Sequence, residues 1–246
     1  MRKFFKRFLF AFLGMLLLGT IAFWIVNEPV PEIKNRQEAD ELAFKMLEAI
    51  RFDLWEKTAY VEWNFRGIQQ FYWNRVNNQV LVEWGDYRVL VDVEHQKGIA
   101  RKGAQDIDGE AGAKLVEQAI NHFYNASFWL NAPAKIGAPG TERGLVEVAG
   151  QTGLLVTYTT GGETPGDSYL WLLDENGLPQ SCKMWVSRIP IGGFEFTWEK
   201  WAPAASGALL SHHHQSWVAD VYIQNVKALP ELPDQLPFGD FPVSEL

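Results

Sequence analysis

Residues 8–26 run for 19 positions without a charged side chain, directly behind Arg2, Lys3, Lys6 and Arg7. A helix of about 20 apolar residues is long enough to cross the hydrocarbon core of a bilayer. Residues 1–26 are therefore expected to form a signal anchor, one N-terminal transmembrane helix whose basic flank stays on the cytoplasmic side. The rest of the chain would then face the periplasm from the inner (cytoplasmic) membrane as a single-pass protein. Thr20-Ile21-Ala22 offers small residues for cleavage, and release to the periplasm is the alternative. However, Phe23-Trp24-Ile25-Val26 carries the apolar run past that point, and Trp24 suits the interfacial aromatic belt. The sole cysteine, Cys182, lies far from the run, which excludes the usual lipidation at the N-terminus.

The 220 residues that follow are within the size of one β domain. The expected organisation is a linker at 27–35, a β domain at 36–229 and a proline-rich tail at 230–246. Beyond the anchor, 18 Lys plus Arg stand against 30 Asp plus Glu. Such an acidic domain argues against nucleic acid as a partner, because a polyanion needs a basic surface. With one cysteine there is no internal disulfide, so stability must come from the core.

Asn35 followed by Glu38 reads as a helix start. Ala39, Leu42, Ala43, Met46, Leu47 and Ile50 then recur at helical spacing. The period changes to two at Ala59, Val61, Trp63 and Phe65, and strands are predicted near 59–66, 69–76, 79–84 and 87–94. Gly85-Asp86 provides the last tight turn of that meander. Residues 95–108 read as a polar loop, and 110–124 as a second helix with Leu115, Val116, Ala119, Ile120 and Phe123 on its apolar face.

Strands resume near 144–149 and 153–160, followed by a wide turn at Gly161-Gly162 and Thr164-Pro165-Gly166. Further strands are expected at 168–173, 180–187, 194–201, 208–215 and 217–226. The fold class is mainly β (α+β), with about eleven antiparallel strands in one curled sheet or half-barrel and two lid helices. A sheet of that length must curl or close, and apolar helix faces need an apolar surface to cover.

This order of elements resembles the LolA/LolB-like family of outer-membrane lipoprotein carriers. The hairpin Tyr169-Leu170-Trp171-Leu172-Leu173-Asp174-Glu175-Asn176-Gly177-Leu178-Pro179 and its returning strand Cys182-Lys183-Met184-Trp185-Val186 carry the likeness. Phe128-Trp129-Leu130 and Gly166-Asp167-Ser168-Tyr169-Leu170-Trp171 resemble segments of uncharacterised bacterial envelope proteins of that fold. The resemblance spans about residues 36–226, and none of its motifs is catalytic. It implies transient binding of a lipid or lipoprotein acyl chain in a cavity beneath a lid formed around 42–50 and 123–136. A carrier must diffuse, whereas an anchored chain does not, so a tethered receptor, lipid-handling accessory or sensor fits better.

Eleven tryptophans and sixteen phenylalanines supply the material for such a cavity. The expected lining is Trp63, Phe65, Phe71, Trp73, Trp84, Trp171, Phe196 and Trp198, several of them at alternate positions on one sheet face. The same rings could equally fill a core between sheet and helices. The rival function is then an interaction or sensor module with a filled cavity, bound to an envelope protein partner through the outer face near Tyr72, Trp185 and Trp201.

His212-His213-His214 is the one cluster that suggests a metal. In a strand only His212 and His214 share a side, with Asp220 as a possible third ligand, and this gives a third reading as a metal-dependent hydrolase. There is no Gly-x-Ser-x-Gly elbow. Cys182 alternates with Met184 and Val186 and is expected to be buried and inert. Gly161-Gly162 and Gly192-Gly193 do not lie between a strand and a helix, so they are read as turns and not phosphate cradles. No catalytic residue or cofactor is expected, and the chain is read as a non-enzymatic binding protein.

Overall fold

A computed structural model describes residues 2–160 and 165–242, without the side chains of Arg2, Lys3, Phe5, Lys6, Phe8, Ala11, Ile21, Ala22 and Ile25. The predicted turn at Gly161, Gly162 and Thr164 lies outside the described residues.

Helix α1 is Arg2–Val26, α2 is Ala39–Ala49 and α3 is Phe52–Glu56. Six strands follow: β1 Tyr60–Phe65, β2 Gln69–Asn74, β3 Gln79–Trp84, β4 Tyr87–Asp92, β5 Lys97–Lys102 and β6 Gln105–Ile107. Helix α4, Gly109–Asn131, ends in a 3₁₀ turn at Ala132–Lys135. Five more strands follow: β7 Thr141–Val148, β8 Gln151–Tyr158, β9 Ser168–Leu173, β10 Pro179–Trp185 and β11 Phe194–Thr197. The last four are β12 Ala202–Pro203, β13 Leu209–Leu210, β14 His213–Gln215 and β15 Asp220–Leu229.

The strands do not form one sheet of eleven. Among the described residues they make an eight-stranded sheet in the order β14-β15-β1-β2-β3-β4-β5-β6, a five-stranded sheet β11-β10-β9-β8-β7 and the pair β12-β13. The eight-stranded sheet is open, with β14 and β6 at its edges, so no barrel closes. The predicted loop at 95–108 is in fact β5 and β6. Gly98 and Ala100 present too little apolar volume to register as a strand face, yet Gly98 is required there because a Cβ would meet the Leu90 carbonyl at 2.6 Å and Val116 at 3.0 Å.

The chain divides into two compact units. The first comprises Met1–Asp40, Ala138–Leu172 and Ser181–Phe196 and holds the five-stranded sheet. The second comprises Glu41–Gly137, Leu173–Gln180 and Thr197–Leu246 and holds the eight-stranded sheet with α4.

In the first unit the 27–35 segment is not a free spacer. Asn35 Oδ1 accepts from the amides of Gln37 (2.9 Å) and Glu38 (3.4 Å), and the helix proper begins at Ala39. The Asn35 backbone pairs with Leu145 of β7, and Ile33 packs on the cluster of Val146, Leu155 and Leu170. Gly144 leaves room for Ile33, whose side chain would lie 2.4 Å from a Cβ at that position. Immediately after α1, the Glu28 amide donates to the Gly192 carbonyl (3.0 Å), and the Gly192 amide donates to Asn27 Oδ1 (2.8 Å).

In the second unit α4 lies along β3, β4, β5 and β15. Val116, Ala119, Ile120, Phe123 and Leu130 are buried at helical spacing. The register Trp63↔Phe71↔Val82↔Val89↔Ala100 fixes the face toward α4. On the opposite face, Leu81 and Leu90 are covered by Phe238 and Phe241 of the proline-rich tail, with Tyr72, Ile99 and Leu236 packed around them.

Candidate aromatic binding layer

The layer under α4 is built from alternate residues of β1 and β2, which a two-residue period forces onto one face. Trp63 stacks on Phe71 with ring centroids 4.7 Å apart, and Phe123 of α4 approaches Trp63 at 6.2 Å and Trp73 at 5.0 Å. Trp63 and Phe71 are completely buried. At the margin, Trp55 of α3 meets Trp73 at 6.3 Å. The Arg75 guanidinium lies 4.3 Å above Trp55 and 5.1 Å from Trp73, donating to the carbonyls of Trp55 and Thr58. Burial lowers the pKa of Arg75 from its ordinary value, but the guanidinium remains a cation.

A second group lies near the end of α4. Trp129 and Trp198 are stacked at 5.7 Å, Phe128 meets Trp198 edge-on at 5.9 Å, and His214 lies 4.1 Å from Trp198 and 5.3 Å from Trp129. His214 is fully buried, and burial pushes its pKa down to about 3. The main-chain carbonyls of Trp129 and Thr197 oppose that shift weakly, and neither ring nitrogen makes a well-formed hydrogen bond. The indole Nε1 of Trp63 is likewise buried without a hydrogen-bond partner.

Of the eight predicted lining residues, Trp63 and Trp73 meet at Phe123, Phe71 stacks on Trp63, and Phe65 is buried on the same face of β1. Trp84 lies farther along that face, 5.1 Å from His122 and 5.6 Å from Tyr87. Trp198 joins the Trp129 group. Trp171 and Phe196 belong to the other unit.

Sequence reasoning gave no role to Arg75, Trp55 or His214 in an aromatic layer. A lone arginine after a strand and a tryptophan in a five-residue helix carry no periodic signal. Trp129 was visible only through the Phe128-Trp129-Leu130 resemblance. The outer-face aromatics all find internal partners: Tyr72 packs in the tail cluster, Trp185 Nε1 donates to the Glu28 carbonyl (2.8 Å), and Trp201 Nε1 donates to Pro179 (3.0 Å) and Trp198 (3.1 Å) carbonyls.

The histidine strand is arranged differently from the predicted metal site. His213, not its neighbours, pairs with Asp220 (Nε2 to Oδ1, 3.4 Å) and with Glu199 (Nδ1 to Oε2, 3.0 Å), and its ring stacks on Tyr222 at 4.5 Å. His214 points into the aromatic layer, and burial holds the pKa of the half-buried His212 down. Among the described residues, no group of three or more His, Cys, Asp and Glu is placed to hold a metal ion. Cys182 is fully buried, and burial raises its thiol pKa well above the ordinary value, which leaves it protonated and unreactive.

No family model and no curated protein matches the sequence. Among solved structures, the chain is similar to the crystal structure of a DUF1329 family protein from Desulfovibrio piger, at 12% identity over 82% of this chain and 96% of that one, with a TM-score of 0.40. The likeness is distant. Counting only the fully described residues, which leaves out nine side chains of α1, no helix is long and apolar enough to cross a membrane.

Proposed function

We propose that this chain is a membrane-tethered, periplasm-facing, non-enzymatic binding protein of LolA/LolB-like type that takes a lipid or lipoprotein acyl chain into the aromatic layer beneath α4. The observation that carries the reading is the indole Nε1 of Trp63, buried without a hydrogen-bond partner inside an otherwise apolar layer. A layer that served packing alone is expected to pair such groups or to omit them. An amphipathic ligand supplies both an apolar body, at about 0.8 kcal/mol per buried CH₂, and an acceptor for that donor. The tether rests on the charge-free run at 8–26, continuous as helix α1, with Phe10, Met15, Leu17, Leu18 and Trp24 exposed. Such a helix in water leaves large apolar side chains without cover, and the hydrocarbon of a bilayer supplies that cover.

A specific observation favours the second reading, an interaction module bound to an envelope protein. The rings already touch one another, as Trp63 does Phe71 and Trp129 does Trp198. A ligand would have to displace α4 or repack those rings.

The two readings separate by photo-crosslinking. Full-length chain in envelope membranes carrying a photoactivatable fatty acid is irradiated, and adducts are mapped by mass spectrometry. Adducts on β1, β2, the end of α4 and the 197–214 segment, reduced several-fold by Trp198→Ala, are the expected result. Adducts confined to α1 would remove the lipid-binding reading and leave the interaction module.

A further inference from the structure

Arg75 follows Trp73 by two residues at the end of β2, so it shares the face that Phe71 and Trp73 turn toward α4. Its amide donates to the Ala59 carbonyl (2.9 Å), which carries the pairing of β1 and β2 one step further. The guanidinium is held from several directions. Trp55 lies 4.3 Å from it and Trp73 5.1 Å, and Nη1 donates to the carbonyl of Trp55 and to that of Thr58 (2.6 Å).

A guanidinium drawn partly out of water is ordinarily paired with a carboxylate, because desolvating a lone charge is costly. Among the described residues of the second unit, Arg88 pairs with Glu83 (2.7 Å) and Arg101 with Asp106 and Asp240. Arg75 has no carboxylate at ion-pair distance among the described residues; the acidic group that acts on it is the exposed Glu56 of α3, through space and without a hydrogen bond.

The hydrogen bonds show which edge of the group is left. Both side-chain bonds of Arg75 leave from Nη1, and Nε is buried without a partner. Nε–H and the Nη2–H beside it point the same way and form the two-pronged edge that fits a carboxylate or a phosphate. Because the carbonyls and the indoles already fix the guanidinium, little side-chain entropy remains to be lost when an anion binds there. The neighbours on the inward side are rings. Trp73 meets Phe123 at 5.0 Å, and Phe123 meets Trp63 at 6.2 Å.

Resting on the lipid-binding reading above, we propose that Arg75 is the head-group site of the aromatic layer and that the ligand is an anionic amphiphile, its carboxylate or phosphate held by Nε and Nη2 and its acyl chain laid against Trp73, Phe123 and Trp63. Arg75 keeps partial exposure, so the head is reached from solvent while the chain runs inward. An uncharged lipid would fill the layer and leave the cation without a counter-charge. Trp55 and Trp73 are then positioning residues that aim the two-pronged edge.

The test uses the full chain in maltoside micelles and three photoactivatable probes with the same hexadecyl chain: the carboxylic acid, the alkyl phosphate and the alcohol. Adducts in 52–75 and 116–131 are mapped by mass spectrometry. Both anionic probes are expected to label these segments about tenfold above the alcohol, the weight of a charge-assisted hydrogen bond. Arg75→Gln should bring that ratio toward one, and Arg75→Lys, a point charge without the fork, should keep part of it. Equal labelling by anionic and uncharged probes in the native chain overturns the head-group site and leaves the lipid-binding reading standing, and this comparison holds even where Arg75→Gln does not fold. A ratio that Arg75→Gln leaves at its native value overturns the assignment to Arg75. Acetate or inorganic phosphate that blocks acid labelling as well as an equal concentration of unlabelled hexadecanoate shows a site for free anions and overturns the amphiphile. Labelling of these segments by none of the three probes overturns the acyl-chain reading and the head-group site together.

Discussion

His214 is the residue whose environment departs furthest from its ordinary chemistry. Trp129 and Trp198 bury the imidazole, and burial disfavours its charged form, so the folded-state pKa of about 3 lies below the unfolded value of about 6.5. Below the unfolded pKa the unfolded chain binds a proton that the folded chain refuses. The His214 contribution therefore makes stability fall as pH drops from about 6.5 toward 3, with a slope of up to about 1.4 kcal/mol per pH unit. His214→Phe should flatten that part of a denaturation-versus-pH curve, and an unchanged slope would show that another group sets it. The nearby Glu199 has its pKa lowered by hydrogen bonds from Thr197 and then His213, so its stabilising share is also lost on acidification. Trp63 is the packing counterpart. Stacked on Phe71 and wholly buried, Trp63→Ala is expected to cost about 3–5 kcal/mol, read as a lowered midpoint in urea.

At the scale of elements, the tail and the linker both act as structural parts. Phe238 and Phe241 close the outer face of β3 and β4, Arg101 bonds Asp240 (2.7 Å), and its guanidinium stacks 4.4 Å from Phe241. Phe238→Ala should cost about 3 kcal/mol or more and lower the thermal midpoint, whereas Leu232→Ala, at a more exposed position, should change it little. Gly193→Ala is expected to destabilise by about 1 kcal/mol or more, because it adds a Cβ at positive φ against Glu28; amide exchange at 28 and 192 should quicken with it. The hairpin at Asn176-Gly177 formed where it was predicted. Gly177 has a further duty there, because a Cβ would meet the Lys45 carbonyl of α2 at 2.9 Å.

For the molecule as a whole, the partition into two units changes what the aromatic content means. Trp171 and Phe196 fall in one unit and the other six predicted lining residues in the second. The alternation that placed Trp63 with Phe65 and Phe71 with Trp73 on one face each is a local property of strands, and register then put those two faces together. Sheet membership is not local. Nothing in the spacing of strands near 144 or 168 says whether they extend the first meander or begin a second sheet.

The sequence by itself determined the apolar, charge-free N-terminal run, the antiparallel β class, the stripe of α4, the burial of Cys182 and most strand positions. Each follows from a short-range period or from composition, which a chain carries wherever it folds. Tertiary structure alone decided that β5 and β6 are strands, that the tail covers Leu81 and Leu90, that residue 28 docks on Gly192, and that His213 and not His212 meets Asp220. These depend on contacts between residues far apart in the chain, such as 28 with 192 or 81 with 238. Their free energy comes from hydrogen bonds and burial that no local window contains.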